Sequence, residues 1–151
     1  MKTLIIRTDR LGDFYQTWGR GLILNQTDYQ HLDFNTGATG LSVGYEKNYI
    51  SLNVIAGEIN PRKSTTFLGD YDPRVPNYIL KQTLYGSDLS IESPESTMGL
   101  SILFTEEEEA PISSVIGGIR FEKPYDNGDF FLSFISKRSK LDTVDSGSET
   151  D

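Results

Sequence analysis

Residues 97–104 read Thr-Met-Gly-Leu-Ser-Ile-Leu-Phe, a stretch in which large apolar and small polar residues alternate. The large residues share one parity: Met98, Leu100, Ile102 and Phe104. The other parity holds small or polar residues, with Leu103 as the exception. Because successive side chains of a β-strand point to opposite faces, this stretch predicts a strand with one apolar face and one small, polar face.

The same alternation extends outward in both directions and predicts two hairpins. One covers Gly40–Gly57 with a turn at Glu46-Lys47-Asn48, and only Ile55 breaks its pattern. The other joins Val115–Lys123 to Phe130–Lys137 through a loop that contains Asn127-Gly128, residues that tolerate positive φ. Both hairpins indicate antiparallel pairing.

Less regular apolar stretches predict further strands. They are Thr3–Thr8, Asp13–Leu24, Tyr78–Tyr85 and Leu89–Glu92, with a bend at Leu11-Gly12 and a tight turn at Gly86-Ser87-Asp88. The total is an all-β antiparallel meander of about eight or nine strands, without a helix longer than a turn or two. We expect one domain over residues 1–140 and a disordered acidic tail over 141–151.

Composition excludes several classes of function. The chain has 151 residues and a formal net charge of −8, which disfavours sequence-independent nucleic-acid binding because that affinity comes from Lys and Arg. It has no cysteine, so disulfides and thiolate metal sites are excluded. The single histidine, His31, cannot assemble a His-rich metal site. We therefore predict no metal, no cofactor and no enzymatic activity.

The second face of the predicted strands distinguishes a membrane barrel from a soluble sandwich. A soluble sheet exposes mostly charged and long polar side chains, whereas the lumenal face of a membrane barrel is polar or small. Here the second face is small and uncharged: Ser42, Gly44, Ser51, Asn53, Gly99, Ser101, Gly118 and Ser133. Aromatic residues lie near predicted strand ends, as at Tyr45 and Tyr49. The pattern predicts a barrel, or part of a larger outer-membrane β-barrel, with its apolar face toward lipid.

Residues 12–25, Gly-Asp-Phe-Tyr-Gln-Thr-Trp-Gly-Arg-Gly-Leu-Ile-Leu-Asn, add a second line of reasoning. They resemble the Gly-Asp-Phe … Gly-Arg-Gly-Leu signature of uncharacterised outer-membrane β-barrel proteins of the Bacteroidota, and the stretch from Leu84 to Ser101 is similar to a later part of that pattern. The resemblance covers about Leu11 to Lys137. Members of that family carry an export signal and a strand-forming C-terminus. This chain shows neither, which predicts a piece of a longer protein.

Four residues are candidates for ligand binding or for lining a lumen: Trp18, Arg20, Tyr71 and Tyr78. Arg20 between two glycines is either a lumenal cation that binds a small anionic solute or an inward arginine paired with a carboxylate on a neighbouring strand. The glycines do not form a dinucleotide-binding fingerprint, because the third glycine and the following helix are missing. The two tyrosines accompany a proline-rich loop over Asn60–Asn77.

These observations leave three functional hypotheses open. The first is an outer-membrane β-barrel protein or fragment that acts as a pore, scaffold or surface-binding element, with membrane lipid as its partner. The alternative is a soluble β-sandwich or small β-barrel that binds carbohydrate or protein through the loop Asn60–Asn77. A hydrolase would require His31 within hydrogen-bond reach of a Ser or Asp.

Overall fold

The computed structural model describes residues 5–29, 34–60, 81–108 and 112–141, and within them the chain is almost entirely β-structure. Seven long strands form one antiparallel sheet in the order β1-β6-β7-β8-β9-β10-β11. Their bounds are β1 Ile5–Phe14, β6 Ala38–Lys47, β7 Ile50–Ile59, β8 Gln82–Ser93, β9 Ser96–Glu107, β10 Ile112–Tyr125 and β11 Gly128–Leu141. The predicted all-β antiparallel meander is confirmed. The sheet is open, since β1 and β11 do not pair with each other among these residues.

Four two-residue strands lie between β1 and β6. They are β2 Thr17–Trp18, β3 Leu24–Asn25, β4 Asp28–Tyr29 and β5 Phe34–Asn35, and a 3-10 turn at Gly19–Gly21 separates the first two. We call residues 15–37, of which 15–29 and 34–37 are described, the inserted segment. The predicted strand Asp13–Leu24 is wrong. Strand β1 ends at Phe14, and Gly19, Arg20 and Gly21 adopt φ of 59°, 55° and 84°, left-handed conformations that no strand accommodates.

Two predicted breaks are continuous strand instead. Strand β1 runs through Leu11-Gly12, and β8 runs through Gly86-Ser87-Asp88. At Gly86 the neighbouring backbone approaches so closely that a Cβ atom would lie 2.5 Å from the carbonyl oxygen of Ile102. Glycine is therefore used there for close strand approach rather than for a turn.

The two ends of the sheet differ in their connections. Three hairpins close at one end through two-residue turns, at Asn48–Tyr49, Pro94–Glu95 and Asp126–Asn127. The first lies slightly later than predicted, because Asn48 takes the left-handed φ of 54° that starts the turn. The opposite end carries the inserted segment and the ends of β7 and β8 at Ile59 and Gln82. We call these the tight-turn end and the long-connection end.

Cross-strand register assigns each side chain to a face. On the outer face one apolar row crosses six strands: Tyr45, Leu52, Leu89, Leu100, Ile119 and Phe134. On the inner face the neighbouring row is small or polar over its first five strands and ends in an isoleucine: Gly44, Asn53, Asp88, Ser101, Gly118 and Ile135. The two faces predicted from alternation are thus both present. The exceptions Ile55 and Leu103 lie together on the inner face, either side of Gly86.

The buried core occupies the inner face near the long-connection end. Inner-face residues and the inserted segment supply it jointly: Phe14, Trp18, Ile23, Leu24, Ala38, Ile55, Leu84 and Leu103. The inserted segment closes over Ile55 and Leu103, which explains why these two positions are apolar on a face that is otherwise small or polar. Ile23 packs against Gly118: a Cβ atom at position 118 would lie 2.6 Å from the Cδ1 atom of Ile23.

Candidate functional site: two unlike faces of one sheet

The outer face carries an apolar belt without any covering element among the described residues. The large apolar side chains exposed there include Leu41, Tyr45, Ile50, Val54, Tyr85, Ile91, Met98, Leu100, Ile102, Val115, Ile119, Phe130, Leu132 and Phe134. Exposure is 54% at Leu100, 61% at Ile119 and 73% at Phe134. A monomeric soluble protein rarely exposes a contiguous apolar patch of more than a few hundred Å². Exposed apolar patches of this size mark contact surfaces for a protein partner or for membrane lipid.

The belt lies between two rows of residues in register. Toward the long-connection end its edge is the row of Leu41, Tyr85, Phe104 and Val115. Toward the tight-turn end it reaches the row of Ile50, Ile91, Met98, Phe121 and Leu132, and on β11 it extends one outward-facing position further, to Phe130.

Aromatic pairs mark both edges of the belt. Near the long-connection end, the Tyr85 and Phe104 rings stack with centroids 5.3 Å apart and planes at 17°. Near the tight-turn end, the Phe121 and Phe130 rings meet edge to face at 6.4 Å. Beyond the first pair the outer face turns polar, with Thr39, Glu58, Thr83, Glu106 and Ser113 in one row. Aromatic side chains at two interfaces are typical of a transmembrane strand layer.

The inner face is polar and internally crosslinked. Arg120 on β10 donates from Nη1 and Nη2 to the two carboxylate oxygens of Asp88 on β8, at 2.6 Å and 2.9 Å. The same guanidinium donates to Ser101 Oγ at 3.0 Å and to Ser90 Oγ at 2.9 Å. Both charged side chains are about one-tenth exposed. Gly99 lies beneath the guanidinium, where a Cβ atom would be 2.3 Å from Cζ, so a larger residue would displace the arginine.

This network was not predicted from the sequence, which placed Asp88 in a turn. The sequence did contain a sign of this network, in the alternation of residues along β8 and β10. Asp88 has the same parity as Ser90, and Arg120 has the same parity as Gly118, so both point to the small, polar face. The bidentate pair, satisfied by two serines, fixes three neighbouring strands to one another.

Two of the four predicted site residues belong to the inserted segment. Trp18 is buried in the core, and its Nε1 atom has no hydrogen-bond partner among the described residues. Arg20 donates from Nη2 to Glu122 Oε2 at 3.1 Å, and its guanidinium lies 4.5 Å from the Phe131 ring centroid. Of the two alternatives predicted for Arg20, the structure shows the second, a pairing with a carboxylate on a neighbouring strand. Tyr71 and Tyr78 lie outside the described residues, as does His31.

The inserted segment connects opposite parts of the sheet. Gln16 Nε2 donates to Ser42 Oγ on β6 at 3.3 Å, while Arg20 reaches β10 and β11. Within the segment, Gln26 Oε1 accepts a hydrogen bond from Gln16 N at 2.9 Å. The segment therefore lies across the inner face and is held at both sides.

Lys81, just before β8, forms ion pairs at the long-connection end. Its Nζ atom lies 2.8 Å from Glu108 Oε1 and 3.2 Å from Glu58 Oε2. Hydrogen bonds to these two carboxylates raise the pKa of Lys81 above its usual value. The group stays charged at neutral pH and neutralises part of the acidic rim at this end.

Neither a metal cluster nor a spanning helix occurs in the part of the chain that the structure describes. No three His, Asp or Glu side chains there come close enough together to hold an ion. No described helix is long and apolar enough to cross a membrane.

Comparisons with models of protein families, with curated proteins and with solved structures find no match to this chain. The resemblance of residues 12–25 to a Bacteroidota outer-membrane family therefore remains a prediction.

Proposed function

We propose that this chain forms part of the wall of an outer-membrane β-barrel and serves as a membrane-anchored scaffold. The observation that carries the proposal is the pairing of an uncovered apolar outer face with a polar, crosslinked inner face. Lipid is the partner of the outer face. The lengths of the long strands, 10 to 14 residues, match the roughly 9–11 residues that a tilted transmembrane strand needs.

Energetics favour lipid over water against the outer face. Burying one Val, Leu, Ile, Phe or Met side chain is worth about 1.5–3 kcal/mol, and the belt contains more than ten such groups. The total free energy of burying these side chains exceeds the usual net stability of a domain, about 5–15 kcal/mol, and it is lost if they stay in water. The inner face has the opposite need, since its charged pair and hydroxyl groups require polar surroundings.

The inserted segment favours a scaffold over an open pore. Trp18, Ile23 and Leu24 pack against the inner face in the buried core, where a lumen would otherwise pass. The Arg20–Glu122 pair holds the segment on β10. A barrel whose inside is filled by its own connection anchors and displays its loops but does not conduct freely.

The unequal ends of the sheet support an orientation. Outer-membrane barrels have short periplasmic turns and longer extracellular connections. We assign the tight-turn end to the periplasm, and the opposite end, which carries the inserted segment, to the exterior.

Fractionation of cells that produce the native full-length protein tests the location. We expect the protein in the outer-membrane fraction, resistant to extraction by carbonate and by 1 M salt because apolar contacts hold it there. The refolded 151-residue chain should float with phosphatidylcholine vesicles in a density gradient. Recovery from the soluble fraction, with cooperative unfolding in detergent-free buffer, would contradict the proposal and favour the soluble binding module.

Planar-bilayer recording tests the scaffold role separately. Vesicle-inserted protein should show no steady ohmic conductance, since the inserted segment fills the inner face. Stable channels from protein that passes the flotation test would leave the membrane location intact and replace scaffold by pore.

A further inference from the structure

A polar cavity of about 250 Å³ lies on the inner face between the inserted segment and strands β1, β6 and β7. Tyr15 and Gln16 of the inserted segment cap it toward the long-connection end. Its walls carry Arg10, Glu46, Ser51 and Asn53. The cavity is separate from the buried core and from the Arg120–Asp88 pair, and its lining is hydrophilic.

The two charged groups of this cavity are unused by the rest of the fold. Arg10 on β1 lies opposite Ser42 on β6, and Ser42 lies four residues before Glu46 on β6. The side chains of Arg10 and Glu46 therefore both belong to the inner face. Neither forms an ion pair or a side-chain hydrogen bond among the described residues, and both are exposed. Gly44 lies between them on the inner face, with Asn53 of β7 beside it and Ser51 of β7 beside Glu46. The side chains of Ser51 and Asn53 likewise have no hydrogen-bond partner in the described part of the chain.

The spacing suits an elongated ligand rather than a direct ion pair. Four residues along a strand separate the two positions by about 13 Å. After both side chains extend inward, a gap of several ångströms remains between the guanidinium and the carboxylate. A guanidinium binds a carboxylate through paired N–H donors, and a carboxylate accepts from an ammonium group.

We propose that this cavity binds a small, elongated zwitterion, with its carboxylate on Arg10, its ammonium group on Glu46 and its middle over Gly44, beside Asn53. An anion would face the unpaired Glu46 carboxylate, and a cation would face the unpaired Arg10 guanidinium, so the site favours a solute that carries both charges. This site does not depend on what covers the outer face.

Three probes with the same six-carbon chain test the proposal: 6-aminohexanoate, hexanoate and hexylamine. Binding is measured by isothermal titration with the full chain refolded in nanodiscs, and in plain buffer if the chain proves soluble. We expect 6-aminohexanoate to bind about tenfold more tightly than either singly charged probe, because each charged hydrogen bond adds roughly 1.5 kcal/mol or more.

Variants identify the residues. Arg10→Gln and Glu46→Gln should each weaken binding of 6-aminohexanoate about tenfold, whereas Arg138→Gln, on the outer face of β11, should leave it unchanged. The exchange variant Arg10→Glu with Glu46→Arg should restore binding, with the ligand reversed. Circular dichroism of every variant checks that the strands have formed.

The result that would overturn the proposal is equal binding of hexanoate and 6-aminohexanoate, or the absence of binding of all three probes at 10 mM by correctly folded protein, a concentration far above a roughly millimolar Kd. Loss of binding in the exchange variant would also contradict it. Vesicle flotation is unaffected by these outcomes, so failure of this site and failure of the membrane proposal are distinguishable.

Discussion

The inner and outer faces of this sheet are built from the same seven strands, yet the inner face is mostly polar and crosslinked and the outer face is apolar and exposed. The inner face pairs Arg120 with Asp88, places glycines where other groups press against it and buries a small core under the inserted segment. The outer face presents rows of Leu, Ile, Val and aromatic side chains that no other described residues cover. In a soluble one-layer sheet the larger apolar face would carry the core. The difference supports the proposal that lipid lies against the outer face.

The largest expected effect is on the inner face, at Asp88→Ala. Removing this carboxylate leaves the nearly buried Arg120 guanidinium without its bidentate partner, which typically costs about 3–5 kcal/mol. Urea unfolding of the refolded protein measures the loss. Asp126→Ala, in the exposed turn before β11, is the matched control and should change stability by less than about 0.5 kcal/mol. A loss below about 1 kcal/mol at Asp88 would show that the network contributes little.

A charge on the outer face should be the next most costly change. Ile119→Lys places an ammonium group in the centre of the belt, which costs about 2–4 kcal/mol in a bilayer. Thr83→Lys, in the polar row beyond the belt on the same face, should cost about 0–1 kcal/mol. Folding equilibria in vesicles measure both. If the outer face met water, both substitutions would fall within about 0.5 kcal/mol of the parent.

Two adjacent glycines offer a direct comparison of the faces by volume. Gly118→Val adds atoms against Ile23 of the inserted segment and should destabilise by about 1–3 kcal/mol. Gly117→Val points outward, where a Cβ atom has only Ser101 O within 4 Å, and should be neutral or stabilising because valine suits a strand. Thermal unfolding compares the two variants. Equal losses would contradict the assignment of faces.

The smallest effect is expected at Arg20→Gln. The ion pair with Glu122 is half exposed on the arginine side, and such pairs contribute about 0.2–1 kcal/mol. Emission of the single tryptophan, Trp18, reports on the inserted segment and should keep the short wavelength of a buried indole, since Ile23 and Leu24 still hold it. A shift to the emission of exposed tryptophan would mean that Arg20 alone fastens the segment.

Sequence alternation was sufficient to predict the all-β meander and the membership of both faces, because strand side chains have a period of two. It failed at two glycines that indicated breaks, Gly12 and Gly86, because both lie inside continuous strands. Gly86 allows the close approach of the neighbouring strand, whereas Gly12 adopts a positive φ of 123° with nothing within 4 Å of where a Cβ atom would lie. The left-handed turn at Gly19–Gly21 was likewise hidden in an apolar stretch that fits a strand.

The candidate sites were harder to predict than the faces. Arg20 and Trp18 stood out locally, yet the partner of Arg20, Glu122, lies 102 residues later in the chain. The pairing of Asp88 with Arg120 and the shared cavity of Arg10 and Glu46 depend on register, which single-strand patterns do not contain. Such long-range placement requires the pairing of neighbouring strands to be known.

The most direct test of the central claim compares nitroxide labels on the two faces of vesicle-inserted protein. The chain has no cysteine, so Leu100→Cys and Asn53→Cys each give one label, on the outer and inner face respectively. We predict that the label at 100 collides readily with dissolved oxygen and poorly with a water-soluble nickel complex, as a lipid-facing side chain does, and that the label at 53 shows the reverse preference. A label at 100 that the nickel complex reaches freely, or that neither reagent reaches because protein packs over it, would contradict the account.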